Sequence, residues 1–120
     1  MPKFGDLEAA VMDVLWSAER ACTIREVLDA LTPSRPLAYT TVQTVMDRLA
    51  KKDLLVRVAD GKAFTYTPAA SRDDHAARLM QAALESSANP GSALLHFVER
   101  MDAAQQAALL DAVRRHDASP

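Results

Sequence analysis

The most informative segment of this sequence, Leu37–Lys62, reads LAYTTVQTVMDRLAKKDLLVRVADGK. Its first half places apolar residues at the spacing of an amphipathic helix, and its second half alternates like a short hairpin. A two-faced helix followed by a small basic hairpin is the pattern of a winged helix-turn-helix. The sequence therefore predicts a mainly α fold with a small β-hairpin wing, an architecture that DNA-binding proteins use.

The helix predicted in this segment has two chemically different faces. At about 100° per residue one narrow stripe is apolar; it comprises Val42, Val45, Met46 and Leu49. Short hydroxyls and an amide occupy the other side near the N-terminus, namely Thr40, Thr41, Gln43 and Thr44. Gln pairs bidentately with adenine, and the Thr methyl contacts the thymine methyl. The pattern favours a base-reading face over the alternative, a neutral solvated one.

Basic residues follow this face at positions that suit DNA phosphates. Three basic residues, Arg48, Lys51 and Lys52, come one to two turns later on the same helix, where backbone contacts are more typical than base contacts. The hairpin is predicted to turn at Asp60-Gly61. Four of its residues are expected to face the core: Val56, Val58, Phe64 and Tyr66. That arrangement leaves Arg57 and Lys62 to reach a phosphate.

Net charge supports this assignment only locally. The chain carries 14 Lys and Arg against 16 Asp and Glu, which gives −2. Residues 35–66, however, hold six basic and three acidic side chains, whereas the segments on either side are net acidic. A local positive patch is sufficient to attract phosphates. The full set of candidate DNA-contacting residues is Thr23, Arg25, Tyr39, Thr40, Thr41, Gln43, Thr44, Arg48, Lys51, Arg57 and Lys62.

Two further helices are predicted before this segment. The first runs over Leu7–Ser17 with Asp6 as its N-cap. The second begins at a capping-box signature in which Thr23 and Glu26 bond reciprocally, and Pro33 ends it. Trp16 is predicted to lie in the core, and Cys22 is predicted to be a small apolar filler beside the cap.

The C-terminal part is predicted to be helical and to form a dimer. Three short helices, broken at Asn89–Ser92 and capped at Asp102, are too small for an independent core. Burial against a second copy solves this and presents two reading helices to a pseudo-palindromic site. The predicted dimerisation residues are Leu79, Met80, Leu84, Leu94, Leu95, Phe97, Val98, Met101, Leu109, Leu110 and Val113. The sequence thus predicts a DNA-binding domain over residues 1–69 and a helical dimerisation domain over residues 70–120.

Composition restricts location and chemistry. No apolar run approaches the ~20 residues that span a membrane, and a single cysteine suits a reducing compartment, so a cytoplasmic protein is expected. The three histidines are scattered without a nucleophile motif, which disfavours an enzyme. Asp73, Asp74 and His75 are adjacent and would point in different directions on a helix, so neither a metal nor another cofactor is expected. A winged-helix protein-interaction module, or a regulator that responds to a metal or redox signal, remains the alternative.

The whole chain resembles the BlaI/MecI/CopY, or penicillinase-repressor, family of bacterial regulators, and most of all the actinobacterial β-lactamase repressors. The resemblance rests on the segments Gly5–Glu8, Leu15-Trp16, Leu37–Thr44, Phe64–Tyr66 and Leu94–Glu99, together with Arg48-Leu49 and Lys51-Lys52. The Tyr-Thr-Thr-Val-x-Thr run with its Arg-Leu-x-Lys-Lys continuation is the most specific of these.

The resemblance implies a dimeric repressor of β-lactamase or related cell-wall-stress genes. In this family a membrane-bound sensor protease relieves repression by triggering cleavage at an Asn-Phe bond in the C-terminal region. The matching bond here is His96-Phe97, where histidine replaces the asparagine. The copper-responsive branch has a C-terminal cysteine cluster that this chain lacks, so copper sensing of that type is not expected.

Overall fold

The computed structural model describes residues 5–119, so residues 1–4 and Pro120, at the ends of the two predicted domains, lie outside it. The fold is mainly helical with one two-stranded antiparallel hairpin, as predicted. Its elements in chain order are α1 Asp6–Ala18, α2 Ile24–Leu31, α3 Tyr39–Lys51, β1 Leu55–Asp60, β2 Ala63–Pro68, α4 Arg72–Glu85, α5 Pro90–Glu99 and α6 Ala103–Ala118.

A single hydrophobic core joins the first three helices to the hairpin. The predicted apolar stripe of α3 is buried, with Leu49 and Met46 fully inaccessible. The remaining core residues come from the other elements around it and are Val11, Met12, Leu15, Cys22, Ile24, Val27, Leu28, Leu31, Leu55 and Tyr66. Because this stripe is buried, the opposite side of α3 must face outward.

The caps of the first two helices differ from the prediction at one position. The N-cap of α1 is Gly5, not Asp6. The reason is that Glu8 reaches back and accepts a hydrogen bond from the Gly5 amide at 3.3 Å. Asp6 therefore lies in the first turn, where an acidic side chain favours the helix dipole. The capping box of α2 is confirmed: Glu26 N–H donates to the Thr23 hydroxyl at 3.2 Å, and Thr23 N–H donates to the Glu26 carboxylate at 3.0 Å.

The hairpin register corrects the prediction of which wing residues face the core. Val56, Val58 and Phe64 are 47%, 55% and 45% exposed, and only Tyr66 is buried as predicted. The register pairs Arg57 with Tyr66 and Val58 with Thr65. Directly opposed residues share a face of the hairpin, so the two valines lie on the outer face. Phe64 shares the inner face with Tyr66, but it lies nearer the hairpin tip, beyond the core.

The turn of the hairpin is also shifted by one residue from the prediction. Asp60 pairs with Ala63 as the last rung of the ladder, so the two turn residues are Gly61 and Lys62. Gly61 has a φ of 64°, a left-handed value that glycine adopts at the first central position of a two-residue turn. Lys62 is consequently exposed at the tip of the wing.

The first turns of helix α4 pack beside the hydrophobic core. The Trp16 indole N–H donates to the Ala70 carbonyl at 3.0 Å, and the indole ring lies 5.6 Å from the imidazole of His75. Arg72 forms a 2.7 Å ion pair with Asp13. Trp16 therefore packs half-buried against the edge of the core, rather than within it as predicted. The chain divides into two compact units after Leu79, rather than at residue 69, because these contacts hold the first turns of α4 to the first unit.

The second unit, residues 80–120, is helical and has little interior. Asn89 caps α5 by accepting from Ser92 N–H at 3.1 Å, and Asp102 caps α6 by accepting from Gln105 N–H at 2.8 Å. The predicted break at Asn89–Ser92 is therefore a cap, and Pro90 is the first residue of α5. No described residue of α5 or α6 is buried. Predicted dimerisation residues that remain exposed are Met80, Leu94, Leu95, Phe97, Leu109, Leu110 and Val113.

The end of α4 and helix α5 form an apolar groove within this unit. Its volume is about 410 Å³. The lining residues are Met80, Gln81, Ala83, Leu84, Ala93, Leu94 and Phe97. Leu79, Leu84, Val98 and Met101 are half-buried. The unit thus leaves most of its large apolar side chains accessible.

Candidate nucleic-acid interface

The outward side of α3 begins with four polar residues that we call the reading face: Thr40, Thr41, Gln43 and Thr44. All four are exposed. They lie in the first half of the helix, where a helix-turn-helix contacts base edges. The structure therefore places the four residues predicted to read bases together on one accessible surface.

Local hydrogen bonds determine what the reading face offers to a ligand. The Thr44 hydroxyl donates to the Thr40 carbonyl at 2.9 Å, one turn earlier. Its proton is thus engaged, and the group it presents outward is an acceptor oxygen with a methyl. The helix has no side-chain cap, because its N-cap residue is Ala38. First-turn amides without a side-chain partner are suited to hydrogen-bond a phosphate.

Two further candidate residues stack beside the start of α3. The Arg25 guanidinium of α2 lies 5.3 Å from the centre of the Tyr39 ring. Both side chains are exposed. Thr23, by contrast, is half-buried and its hydroxyl is used in the α2 cap. Arg25 and Tyr39 therefore extend the reading face towards α2. Thr23 instead has a structural role, because its hydroxyl caps α2.

The basic residues differ in whether an acidic partner neutralises them. Arg48, Lys51 and Lys62 are exposed and form no ion pair with any residue between 5 and 119. Lys52 lies 3.4 Å from the Glu8 carboxylate, which reduces its availability to a phosphate. Arg48, Lys51 and Lys62 are three of the five cations that the sequence assigned to phosphate contact; the other two, Lys52 and Arg57, have acidic partners within the protein.

Asp47 was not among the predicted site residues, yet it joins α3 to the wing. Its Oδ1 accepts a hydrogen bond from the Tyr66 hydroxyl at 2.9 Å and lies 3.8 Å from the Arg57 guanidinium. The same guanidinium lies 4.2 Å from the centre of the Phe64 ring. Arg57 is therefore paired within the protein, not left open as the sequence suggested. These contacts depend on the wing register, so sequence spacing alone carries no signal for them.

The phenol of Tyr66 has a raised pKa, first because the ring is buried and then because its hydroxyl donates to Asp47. The folded state thus favours the neutral phenol. Its stabilising contribution is complete below the ordinary tyrosine pKa of ~10 and is lost as pH rises through the raised value. In a Tyr39→Phe background, phenolate absorbance should show Tyr66 ionising above the ordinary value while circular dichroism remains native. Ionisation of the folded protein at the ordinary value would contradict this assignment.

Cys22 has the properties of a packing residue and not of a redox sensor. Its side chain is 2% exposed, and burial raises the pKa of its thiol. A reactive thiol needs accessible thiolate at neutral pH. The structure therefore gives no support to a redox signal sensed at this residue.

Within residues 5–119 no three His, Cys, Asp or Glu side chains are grouped to hold a metal ion. Across the same residues no helix has the length and apolar character needed to cross a membrane.

Comparison with known proteins decides the family. The sequence matches the penicillinase repressor family over residues 4–115. The chain belongs to this family. It is 48% identical over 118 residues to the transcriptional regulator BlaI of Mycobacterium tuberculosis, covering 96% of this chain and 83% of that protein. The penicillinase repressor of Bacillus licheniformis is 33% identical over 75 residues, which cover 62% of this chain and 58% of that one.

Solved structures of penicillinase repressors match the first unit. The DNA-binding domain of the repressor BlaI has a TM-score of 0.54 at 33% identity, covering 61% of this chain and 88% of that one. The monomeric form of Bacillus licheniformis BlaI in complex with the blaP half-operator gives 0.51 at the same identity and coverage. Both comparisons confirm the winged-helix fold. The family consists of transcriptional repressors, so this chain is a transcription regulator and not an enzyme.

Proposed function

We propose that this penicillinase-repressor family member binds operator DNA as a dimer, with the reading face in the major groove and the wing against the backbone. The observation that carries the proposal is the exposed Thr and Gln side chains at the start of α3, opposite a fully buried stripe. The relative from Bacillus licheniformis has been solved on a half-operator, which supports DNA as the ligand. Arg48, Lys51 and Lys62 contact phosphates on either side.

Dimerisation takes place through the second unit. Met80, Leu94 and Phe97 line its apolar groove and are between 44% and 59% exposed. Large apolar residues grouped in this way are seldom left in water by a monomeric protein. A second copy that covers them with its own equivalent residues would form a two-fold symmetric interface. Each dimer then presents two reading faces to the half-sites of one operator.

The regulated genes are β-lactamase or cell-wall-stress genes, and the protein acts in the cytoplasm. Repression is relieved by a membrane-bound sensor protease of the β-lactam-sensing type, without direct membrane binding by this chain. The candidate bond, His96-Phe97, lies within α5 on exposed residues. Proteases bind extended backbone, so cleavage there requires local unwinding of α5. The family membership supports this regulatory scheme.

Footprinting on the DNA upstream of the protein's own gene tests the proposal, at near-physiological salt with competitor DNA. Two half-sites about one helical turn apart should be protected. Gln43→Ala should lose about 1–3 kcal/mol of discrimination between operator and random DNA, because bidentate pairing is lost. Lys51→Ala is the matched control. It should weaken binding to both DNAs and flatten the salt dependence by about one unit.

Two outcomes would count against the proposed interface. An equal loss on both DNAs for Gln43→Ala would show that this residue does not read sequence. Absence of binding to any duplex by the folded protein, even at low salt, would favour the rival function, a winged helix that binds a protein partner. The first result is obtained with Gln43→Ala and the second with the unchanged protein, on the same fragments.

A further inference from the structure

Asp47 introduces a negative charge into a surface that otherwise attracts DNA. It follows Gln43 by four residues and Thr44 by three, so it lies on the same side of α3 as these two. Its side chain is 37% exposed. A carboxylate at this position opposes the approach of a phosphate backbone. A carboxylate can read a base by accepting from cytosine N4, but Oδ1 of Asp47 is already engaged within the protein.

The partners of Asp47 indicate what the charge does. The Tyr66 hydroxyl orients the carboxylate at 2.9 Å, and the Arg57 guanidinium lies 3.8 Å from the same oxygen. Stacking on Phe64 at 4.2 Å keeps the guanidinium on the inner face of the wing. Arg57 is thus held towards α3 by two contacts, one with the Asp47 carboxylate and one with the Phe64 ring. Lys62, at the wing tip, has no such partner among the described residues.

We propose that Asp47 limits the affinity of this protein for DNA by withholding Arg57 from the phosphate backbone. The inference rests on the proposed function and gives Asp47 an indirect role, because Asp47 affects DNA binding through Arg57. An exposed ion pair is individually weak, so the effect is a graded reduction and not a block. Such a reduction would keep a basic winged helix from being retained on random DNA, where binding depends on phosphate contacts alone.

The test measures the salt dependence of binding to a random duplex and to operator DNA. Asp47→Asn removes the charge and keeps an oxygen that accepts from Tyr66. It should bind both DNAs on the order of three- to tenfold more tightly, with a salt slope steeper by about one, because one phosphate contact is gained. Arg57→Ala alone should barely change the slope. In the double variant the gain should vanish, since it acts through Arg57.

Asp60→Asn is the matched control, because it removes the same charge from the wing away from Arg57. Its gain should be smaller and should persist in the Arg57→Ala background. Weaker DNA binding by Asp47→Asn, with native thermal unfolding, would overturn the proposal and assign Asp47 to positioning the wing. A flatter slope for Arg57→Ala alone would also overturn it. If the unchanged protein bound no duplex at low salt, the proposed function and this inference would fail together; the other failures leave the proposed function standing.

Discussion

The substitution Leu49→Ala is expected to lower the free energy of unfolding of the first unit by about 2–5 kcal/mol. Leu49 is fully buried in the core that α3 shares with the other elements. Its truncation removes apolar contacts and leaves a cavity that rigid neighbours fill only in part. Domains of this size are stable by only about 5–15 kcal/mol, so operator binding should weaken because folded protein is lost. Urea denaturation measures the effect directly.

Val58→Ala provides the control for this substitution. Val58 is 55% exposed on the outer face of the wing, and surface truncations usually change stability by less than about 0.5 kcal/mol. A loss below about 1 kcal/mol for Leu49→Ala would contradict the burial described here. A large loss for Val58→Ala would instead show that the outer face of the wing is covered by another surface.

Helical features were predicted well because their causes are local. The α3 stripe follows from 3.6-residue periodicity, and the Thr23 capping box follows from two residues three apart. The one capping error, Asp6 for Gly5, is a displacement of one residue caused by the reach of the Glu8 side chain. Helix boundaries are sensitive to such details, and this shift leaves the core unchanged.

The wing was predicted less accurately because register is a property of two strands together. A turn at Gly61-Lys62, in place of Asp60-Gly61, sets which residues of β1 and β2 oppose each other. The prediction that Val56 and Val58 share one face, and that Phe64 and Tyr66 share one face, is confirmed. The prediction that these two faces are the same is wrong. A turn at Asp60-Gly61 would pair Arg57 with Phe64 instead of Tyr66, a two-residue difference that leaves each side chain on the same face. With either turn Val56 and Val58 lie on the face opposite Phe64 and Tyr66, so the four cannot all face the core.

The same error accounts for the part of the candidate site that sequence reasoning missed. The reading face could be predicted, since Thr40 to Thr44 lie on one helix. Asp47 and Arg57 are ten residues apart on different elements, and they meet only through the observed register. The candidate DNA-binding surface therefore includes an ion pair that neither the helix periodicity nor the strand alternation of the sequence predicts. The sequence predicts an open cation at Arg57 and assigns no role to Asp47.

The second unit differs from the first in what its apolar residues contact. In the first unit they meet each other, and in the second most remain accessible. Short helices give each apolar side chain few neighbours, and a small element cannot bury enough surface to offset its conformational entropy. The good caps at Asn89 and Asp102 define the ends of α5 and α6 without supplying a core. We therefore expect the stability of this unit to depend on protein concentration, as an obligate dimer requires.

Phe97→Asp is expected to convert the proposed dimer into monomers at micromolar concentration. Phe97 is 44% exposed and lines the apolar groove, so in the proposed dimer an aspartate there would be buried without a partner, at a large cost. Affinity for the full operator should fall by about 10²–10⁴, because the second half-site is no longer linked. Affinity for a half-operator fragment should remain unchanged. Sedimentation velocity and binding to the two fragments measure both effects.

His96→Asp is the control, because it adds the same charge to the neighbouring exposed position of α5 outside the groove lining. It should remain dimeric with unchanged helix content by circular dichroism, whereas monomeric Phe97→Asp should lose helix signal from the second unit alone, because that unit has no core of its own. Persistence of the dimer in Phe97→Asp would place the interface elsewhere, with Leu95 and the exposed Leu110 and Val113 of α6 as the next positions to change. Loss of half-operator binding would show that the second unit supports the first directly. The affinity for the half-operator therefore distinguishes two roles of the second unit. Unchanged affinity shows that the unit only joins two DNA-binding units, and reduced affinity shows that it also supports the fold of the first unit.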